Sequence, residues 1–400
     1  MKWEAEPLFA KIILMKRTIY EINEKIKKGK AFVLTANEAK SLIQEKGTKG
    51  FLNEVDVVTC ATFEMNTNAI AYLNFGQTDP LIYFSSASIN NVPAYVAGPS
   101  DLCLSCVVPS TENYKYGGAH VIEDLTSGKN IRLKSIGHPL EEYTNKEFDT
   151  WFNLSDLNHA RILLNQGINQ NNIIACNSGD KDINSHMGTL IGKLENSTFN
   201  SSSYLNPLIN DPFCETIGIG SKIWVAGAEG IIVGEGSNHN PQQKRNDYDI
   251  PVGPAATLAV VADLSDMDSK WVRGGFIKSF GPVLYIGIGV AIPVLNESIA
   301  EKLSIGDENI HTTIVDFSIP RRAKPIFGQC TYEELRTSTV IINRKPTLSA
   351  PLSSMAYAQE ICRLLKENIM NGKFFLTEPT TKINLNKKLK KMNPMLIEKI

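Results

Sequence analysis

Residues 223–234 read IWVAGAEGIIVG, residues 256–264 ATLAVVADL and residues 284–293 LYIGIGVAIP. Each run has the length of a strand, is apolar on both sides, and is bounded by polar or glycine-containing turns. Strands of that kind lie in a sheet covered on both faces. Together they predict an α/β protein whose central mixed sheet, with Gly-rich core strands, is buried by helices. The glycines also invite a dinucleotide-binding reading. That fingerprint must follow a strand and open a helix, with an acidic residue about 20 positions on. Gly218 and Gly220 instead precede an apolar strand, and Gly287 and Gly289 sit inside one. No Rossmann phosphate loop is expected, and no Walker A, HExxH or GxSxG motif is present.

Outward from these strands, RTIYEINEKIKKGK sets Ile19, Ile22 and Ile26 at helical spacing ahead of Gly29, predicting a helix over 17–28. In LTANEAKSLIQEKG, Thr35 and Glu38 form a capping-box pair that predicts a helix over 36–47. SDLNHARILLNQG, with Ser155 as cap and Gly167 as stop, predicts a helix over 155–165. SSMAYAQEICRLLKENIMNGK is amphipathic and predicts a helix over 353–371. The stretch 195–212 is rich in Asn and Ser and lacks apolar periodicity. It reads as a surface loop near a pocket mouth, a lid. The main body is expected over 15–378, with an N-terminal extension at 1–14 and a basic tail at 379–400.

Lys and Arg number 41 against 42 Asp and Glu, a net charge of −1. This balance gives no electrostatic reason to expect nucleic acid or an anionic membrane as a partner. The start, MKWEAEPLFAKIILMKRTIY, interrupts any apolar signal core with Glu4, Glu6 and Lys11. The longest apolar run, at 282–295, falls short of the roughly 20 residues of a spanning helix. A cytoplasmic chain is expected. Its seven cysteines are odd in number and dispersed, which argues against a disulfide scaffold. No Cys/His quartet is spaced for zinc, and no metal is expected. A homo-oligomer is left open.

Cys103 and Cys106 form a C-x-x-C, at a turn or short helix. The pair reads as a redox dithiol or as two small buried hydrophobes. Cys60 ends the predicted strand VDVVTC, where chemistry-bearing loops begin in α/β sheets; a core cysteine is the alternative. His120, in YGGAHVIEDL, has Glu123 and Asp124 close by and suits a general acid or base. His239, in EGSNHNP, sits at a Gly- and Asn-rich turn, where functional side chains concentrate. Arg245 and Arg273 are candidates to clamp a substrate carboxylate, with surface ion pairing as the plainer alternative.

A set of ordered blocks goes further: MKRTIYEINEKIKKGKAFVLTANE, VDVVTCATF, AYLNFGQTDP, NVPAYVAG, YGGAHVIEDL, NDPFCETIGIGSKIWVAGAEGIIV, GSNHNP, IPVGPAATLAVVADLSDM, GIGVAIPVLNE, APLSS and LTEP. Over residues 15–378 the chain resembles the archaeal homocysteine-biosynthesis family. The resemblance implies an L-aspartate semialdehyde sulfurtransferase that puts sulfide sulfur onto aspartate semialdehyde through cysteine persulfides and yields homocysteine. It implies a sulfide or persulfide donor and no cofactor in this chain. Reducing equivalents would come from a separate small ferredoxin-type iron–sulfur protein. It also implies two functional cysteines at positions where this sequence has Thr67 and Glu142. Without them, Cys60 is expected to carry the sulfur, or else the pair Cys103 and Cys106, with His120 as the second catalytic group. His239, Arg245 and Arg273 would bind substrate. The alternative is a non-catalytic paralogue, a binding or scaffold subunit of a sulfur pathway.

Overall fold

The computed structural model describes residues 17–76, 78, 82–138, 140–141, 146–321 and 323–387. The extension at 1–14, Glu142 and the end of the basic tail lie outside them. Two sheets organise the described residues, one of fourteen strands and one of six, with a separate two-stranded hairpin. Toward one end of the large sheet the Gly281–Pro293 strand runs between Val57–Asn66 and Lys222–Val225, with Val272–Ile277 also paired to it. From Lys222–Val225 the order continues through Ala228–Glu235, Thr257–Asp263, His159–Asn169 and Ala69–Asn74. Val33–Thr35 pairs parallel to Val57–Asn66 and the central pairs are antiparallel, so the sheet is mixed.

All three apolar runs lie in the large sheet, and the α/β expectation holds. The run at 223–234, however, is not one strand but a hairpin that turns at Ala226–Gly227, and its second arm alternates buried with exposed residues, Ile231 and Val233 facing out. Every residue of Val57–Asn66 is buried, as befits a strand covered on both sides. The glycines of the Gly281–Pro293 strand serve packing. A Cβ at Gly287 would stand 2.6 Å from Ile361 Cδ1, and one at Gly289 would stand 3.0 Å from Ile361 Cγ2. Ile361 belongs to the Met355–Met370 helix, so bare backbone lets that helix settle onto the strand. Gly218–Gly220 opens no helix.

The helices at Ile19–Lys27 and Ala36–Glu54 begin at capping boxes on Thr18 and Thr35, the second helix bending at Gly47. The segment 155–165 departs from expectation. It is not a helix but part of the His159–Asn169 strand, between Thr257–Asp263 and Ala69–Asn74. Ala160, Ile162 and Leu164 are buried there while Arg161 is exposed, which is the period of two of a strand. The cap signal belongs to the short Leu154–Asp156 turn, capped by Asn153.

The smaller sheet runs Ile326–Thr331, His311–Asp316, Ile173–Cys176, Asn196–Phe199, Lys345–Pro351 and Thr339–Ile342, over its own apolar core. Up to Lys387 the tail is tied to the body. Thr381 bridges to Ile219, Ile383 is buried, and Lys387 pairs with Glu235 at 3.2 Å. No helix among the described residues is long and apolar enough to cross a membrane.

Gly118 opens the Gly118–Thr126 helix where a Cβ would overlap the carbonyl oxygen of Ser105. Gly118→Ala is expected to cost about 3 kcal/mol, the upper range for overpacking, read as a lowered urea midpoint with unchanged slope. A loss under about 1 kcal/mol would show that the helix yields freely.

Candidate active site

The stretch 195–212 is not a surface lid but lies largely buried. It contributes the Asn196–Phe199 strand, then Ser203–Leu205 and Pro207–Asn210, which pack on the Val57–Asn66 strand. Its polar residues satisfy backbone groups that no ladder reaches. Asn200 accepts from the Met65 N–H at 3.0 Å and donates to the Met65 carbonyl at 3.0 Å. Asn206 donates to the Asn169 carbonyl at 2.7 Å. A buried irregular segment needs such partners. Its Asn and Ser content therefore reflects burial without a ladder.

Where this segment leaves the small sheet, a cavity of about 300 Å³ opens on the seam between the two sheets. Thr67, at the turn between Val57–Asn66 and Ala69–Asn74, is on its wall with Asn68. The large sheet adds Gln166, Asn169 and Thr257; the connection into the small sheet adds Asn171 and Asn172; His186 comes from the small hairpin. Most of these amides are tied down. Asn68 donates to Gln166 Oε1 at 2.6 Å, and Asn171 donates to the carbonyls of Pro251 and His311 at 2.6 and 3.0 Å. The wall is accordingly rigid, a requirement for a site that must hold a small polar molecule in one pose.

Two groups are left to act. Thr67 Oγ1 accepts from Asn68 Nδ2 at 3.3 Å, which leaves its hydroxyl proton to donate. His186 lies near the rings of Phe280 and Phe317, at 6.3 and 5.8 Å between centroids. Neither of its ring nitrogens has a hydrogen-bond partner among the described residues. Burial, and then the Lys324 ammonium, hold its pKa below the ordinary 6.5, so the ring is neutral at pH 7. A neutral imidazole facing a polar cavity can accept a proton and return it. Sequence reasoning passed over His186, in DINSHMGTL, because the cavity is assembled from segments far apart in the chain.

The residues singled out from sequence lie elsewhere. Cys60 does not end its strand. It sits inside Val57–Asn66 opposite Val290, fully buried, and burial pushes its thiol up to about 12. Thr59 turns the other way and donates to the Cys362 carbonyl at 2.8 Å. Cys103 and Cys106 occupy no helix turn: Cys103 is in the Asp101–Ser105 strand and Cys106 follows it. Cys103 is partly exposed on its strand, and Cys106, in the turn that follows, is buried. His239 is buried, with Nδ1 3.1 Å from the Thr257 N–H and Nε2 3.2 Å from the Asn384 carbonyl, which joins the tail to the sheet. Arg245 lies over the Phe213 ring at 4.8 Å and donates to the Asp249 carbonyl at 2.6 Å. His120 and Arg273 do come together at another corner. Arg273 pairs with Glu123 at 2.9 Å, and Gly274 backs directly onto His120. There His120 Nδ1 accepts from the Gly117 N–H at 3.2 Å, and burial lowers its pKa.

None of the seven cysteines lines the cavity at Thr67, and six of them are buried. Added to the native protein, a thiol reagent such as DTNB is therefore expected to modify Cys103 promptly and the other six only on unfolding. Prompt modification of Cys60 would show that the 200–211 segment opens in solution.

A rigid amide-lined cavity with a histidine whose ring nitrogens have no partner among the described residues is a frame suited to a small polar molecule. Sequence comparison gives that frame a family. Residues 31–376 match the family described as "Homocysteine biosynthesis enzyme, sulfur-incorporation", and the chain belongs to it. It is 35% identical over 381 residues to an L-aspartate semialdehyde sulfurtransferase of Methanosarcina acetivorans, covering 95% of this chain and 74% of that protein. It is 37% identical over 382 residues to an L-aspartate semialdehyde sulfurtransferase of Methanocaldococcus jannaschii, covering 91% and 73%. An uncharacterized protein of Methanothermobacter thermautotrophicus is 27% identical over 338 residues, covering 81% of this chain and 73% of that protein. No solved structure matches the chain.

Proposed function

We propose that this chain incorporates sulfide sulfur into aspartate semialdehyde to give homocysteine, with the cavity at Thr67 as the substrate site. The observation that carries the reading is the family match over residues 31–376, which includes every segment that builds the cavity. The chemistry fits what the cavity offers. The neutral His186 ring takes a proton from hydrogen sulfide as sulfur adds to the aldehyde carbon, then returns it to the new alkoxide oxygen. The Thr67 hydroxyl donates to that oxygen while its charge develops. Loss of water leaves a thioaldehyde, and two electrons with two protons reduce it to the thiol. The electrons come from a separate ferredoxin-type iron–sulfur protein, and the sulfur arrives as sulfide; a persulfide donor supplies it only after two further electrons from the same protein release its outer sulfur as sulfide.

A second reading, a non-catalytic binding subunit, is favoured by one feature: no cysteine lines the cavity. One experiment separates the two. The chain is supplied with aspartate semialdehyde, sulfide and a low-potential reductant, homocysteine is measured, and persulfides are mapped by mass spectrometry. Homocysteine formation that survives Cys60→Ser and Cys362→Ser supports direct use of sulfide in the Thr67 cavity. Persulfide on Cys60 with loss of product in Cys60→Ser alone assigns the carrier role to Cys60. Substrate binding without product establishes the binding subunit.

A further inference from the structure

A second cavity, of about 410 Å³, opens on the six-stranded sheet. Phe199 and Leu335 give it an apolar side; Ser349 and Arg336 give it a polar one. Ser349, on the Lys345–Pro351 strand, is only 5% exposed, and its Oγ has no hydrogen-bond partner among the described residues. A buried hydroxyl is normally bonded, and one left open on a cavity wall is completed by whatever fills the cavity. Arg336 stands at the cavity with Nε paired to Asp307 and its guanidinium over the Tyr204 ring at 5.5 Å. Its two terminal nitrogens have no acceptor among the described residues. That edge of a guanidinium is the one that meets a carboxylate in a two-bond fork.

We infer that this cavity is a second binding site, for a small monocarboxylate with a short aliphatic body. The carboxylate lies on the free edge of Arg336 and the Ser349 hydroxyl, and the body lies against Phe199 and Leu335. The free N–H edge of Arg336 gives a carboxylate its two bonds, while the neighbouring Asp307 carboxylate repels added negative charge, so a singly charged group suits the site better than a doubly charged phosphate. The site also adjoins the first cavity. The Tyr332 hydroxyl, from a residue lining the second cavity, donates to Asn171 Oδ1 at 3.0 Å, and Asn171 lines the cavity at Thr67. The inference does not rest on the function proposed for the Thr67 cavity.

Binding of hexanoate to the full chain, followed by calorimetry, tests it, with hexanamide and inorganic phosphate as controls. Hexanoate is expected to bind, hexanamide about tenfold or more weakly, and phosphate not to displace it. Arg336→Gln should weaken hexanoate about tenfold. Arg336 also pairs with Asp307, so Ser349→Ala is the milder variant. It removes a hydroxyl with no partner to lose, and should weaken binding several-fold without lowering the melting temperature. No hexanoate binding at millimolar concentration, equal binding of hexanamide, displacement by phosphate, or unchanged affinity in both variants would each overturn the site.

Discussion

His186→Gln is expected to lower homocysteine formation about a hundredfold, with little change in KM for aspartate semialdehyde. Glutamine keeps a polar side chain of similar reach between Phe280 and Phe317 but cannot cycle a proton. The step that suffers is therefore the addition of sulfur, where the S–H proton must leave as the alkoxide forms. The wild-type pH profile gives a second readout. The working form of the ring is neutral, so the rate should be flat above its titration and fall as the pH drops through it. Because burial and Lys324 lower that titration, the acid limb lies below 6.5. His186→Gln should lose that limb together with the rate. A variant that keeps the wild-type rate, or one whose acid limb persists, would remove His186 from the reaction.

The distance between sequence and structure differs for scaffold and site. The strands Leu258–Ala262 and Leu284–Ile292 were legible because they are apolar throughout, and a run of that length has few other places to go, whereas 223–234 hid a hairpin whose turn at Ala226–Gly227 looks, in sequence, like one more small residue pair of a strand. The His159–Asn169 strand was misread because ARILLNQGI supports both periods over a short window, and Ser155, read as a helix cap, lies instead inside the single Leu154–Asp156 turn that Asn153 caps. The stretch 195–212 failed for a different reason. Polar residues without periodicity describe an exposed loop and a buried irregular segment equally well; only the partners of Asn200, Asn206 and Asn210 separate the two. The candidate site was the least legible part. Thr67 entered through family resemblance, at a position where a cysteine was expected. His186, Asn171 and Gln166 come from segments that meet only once the two sheets pack, and no local pattern marks them. Cys60 lies seven residues before Thr67, inside the strand that ends at Asn66, and mid-strand burial removes it from the Thr67 cavity.

Glu64→Gln should stabilise the protein by about 3 kcal/mol at pH 8 and leave it nearly unchanged at pH 4. Glu64 shares its strand with Cys60 and lies under the same 200–211 segment, where its carboxylate accepts from the Ser202 N–H at 2.7 Å. Burial outweighs that hydrogen bond and raises the carboxyl from 4.5 to about 7. The folded state therefore holds the proton more tightly than the unfolded chain does. Below pH 4.5 the group is protonated in both states and its contribution is fully present. Between 4.5 and 7 the unfolded chain releases the proton first, so stability falls as pH rises. Above 7 both states are ionised and the whole difference has been lost. Glutamine stands in for the protonated acid at every pH: it is uncharged, and its carbonyl still accepts from the Ser202 N–H. Asp211 is also buried with a raised pKa and adds a slope of the same sign, but it does so in both proteins and cancels in the difference. Urea unfolding of wild type and variant from pH 4 to pH 8 reads the effect directly. Two curves that stay parallel would mean that the segment over Glu64 admits water and the carboxyl titrates as an exposed one.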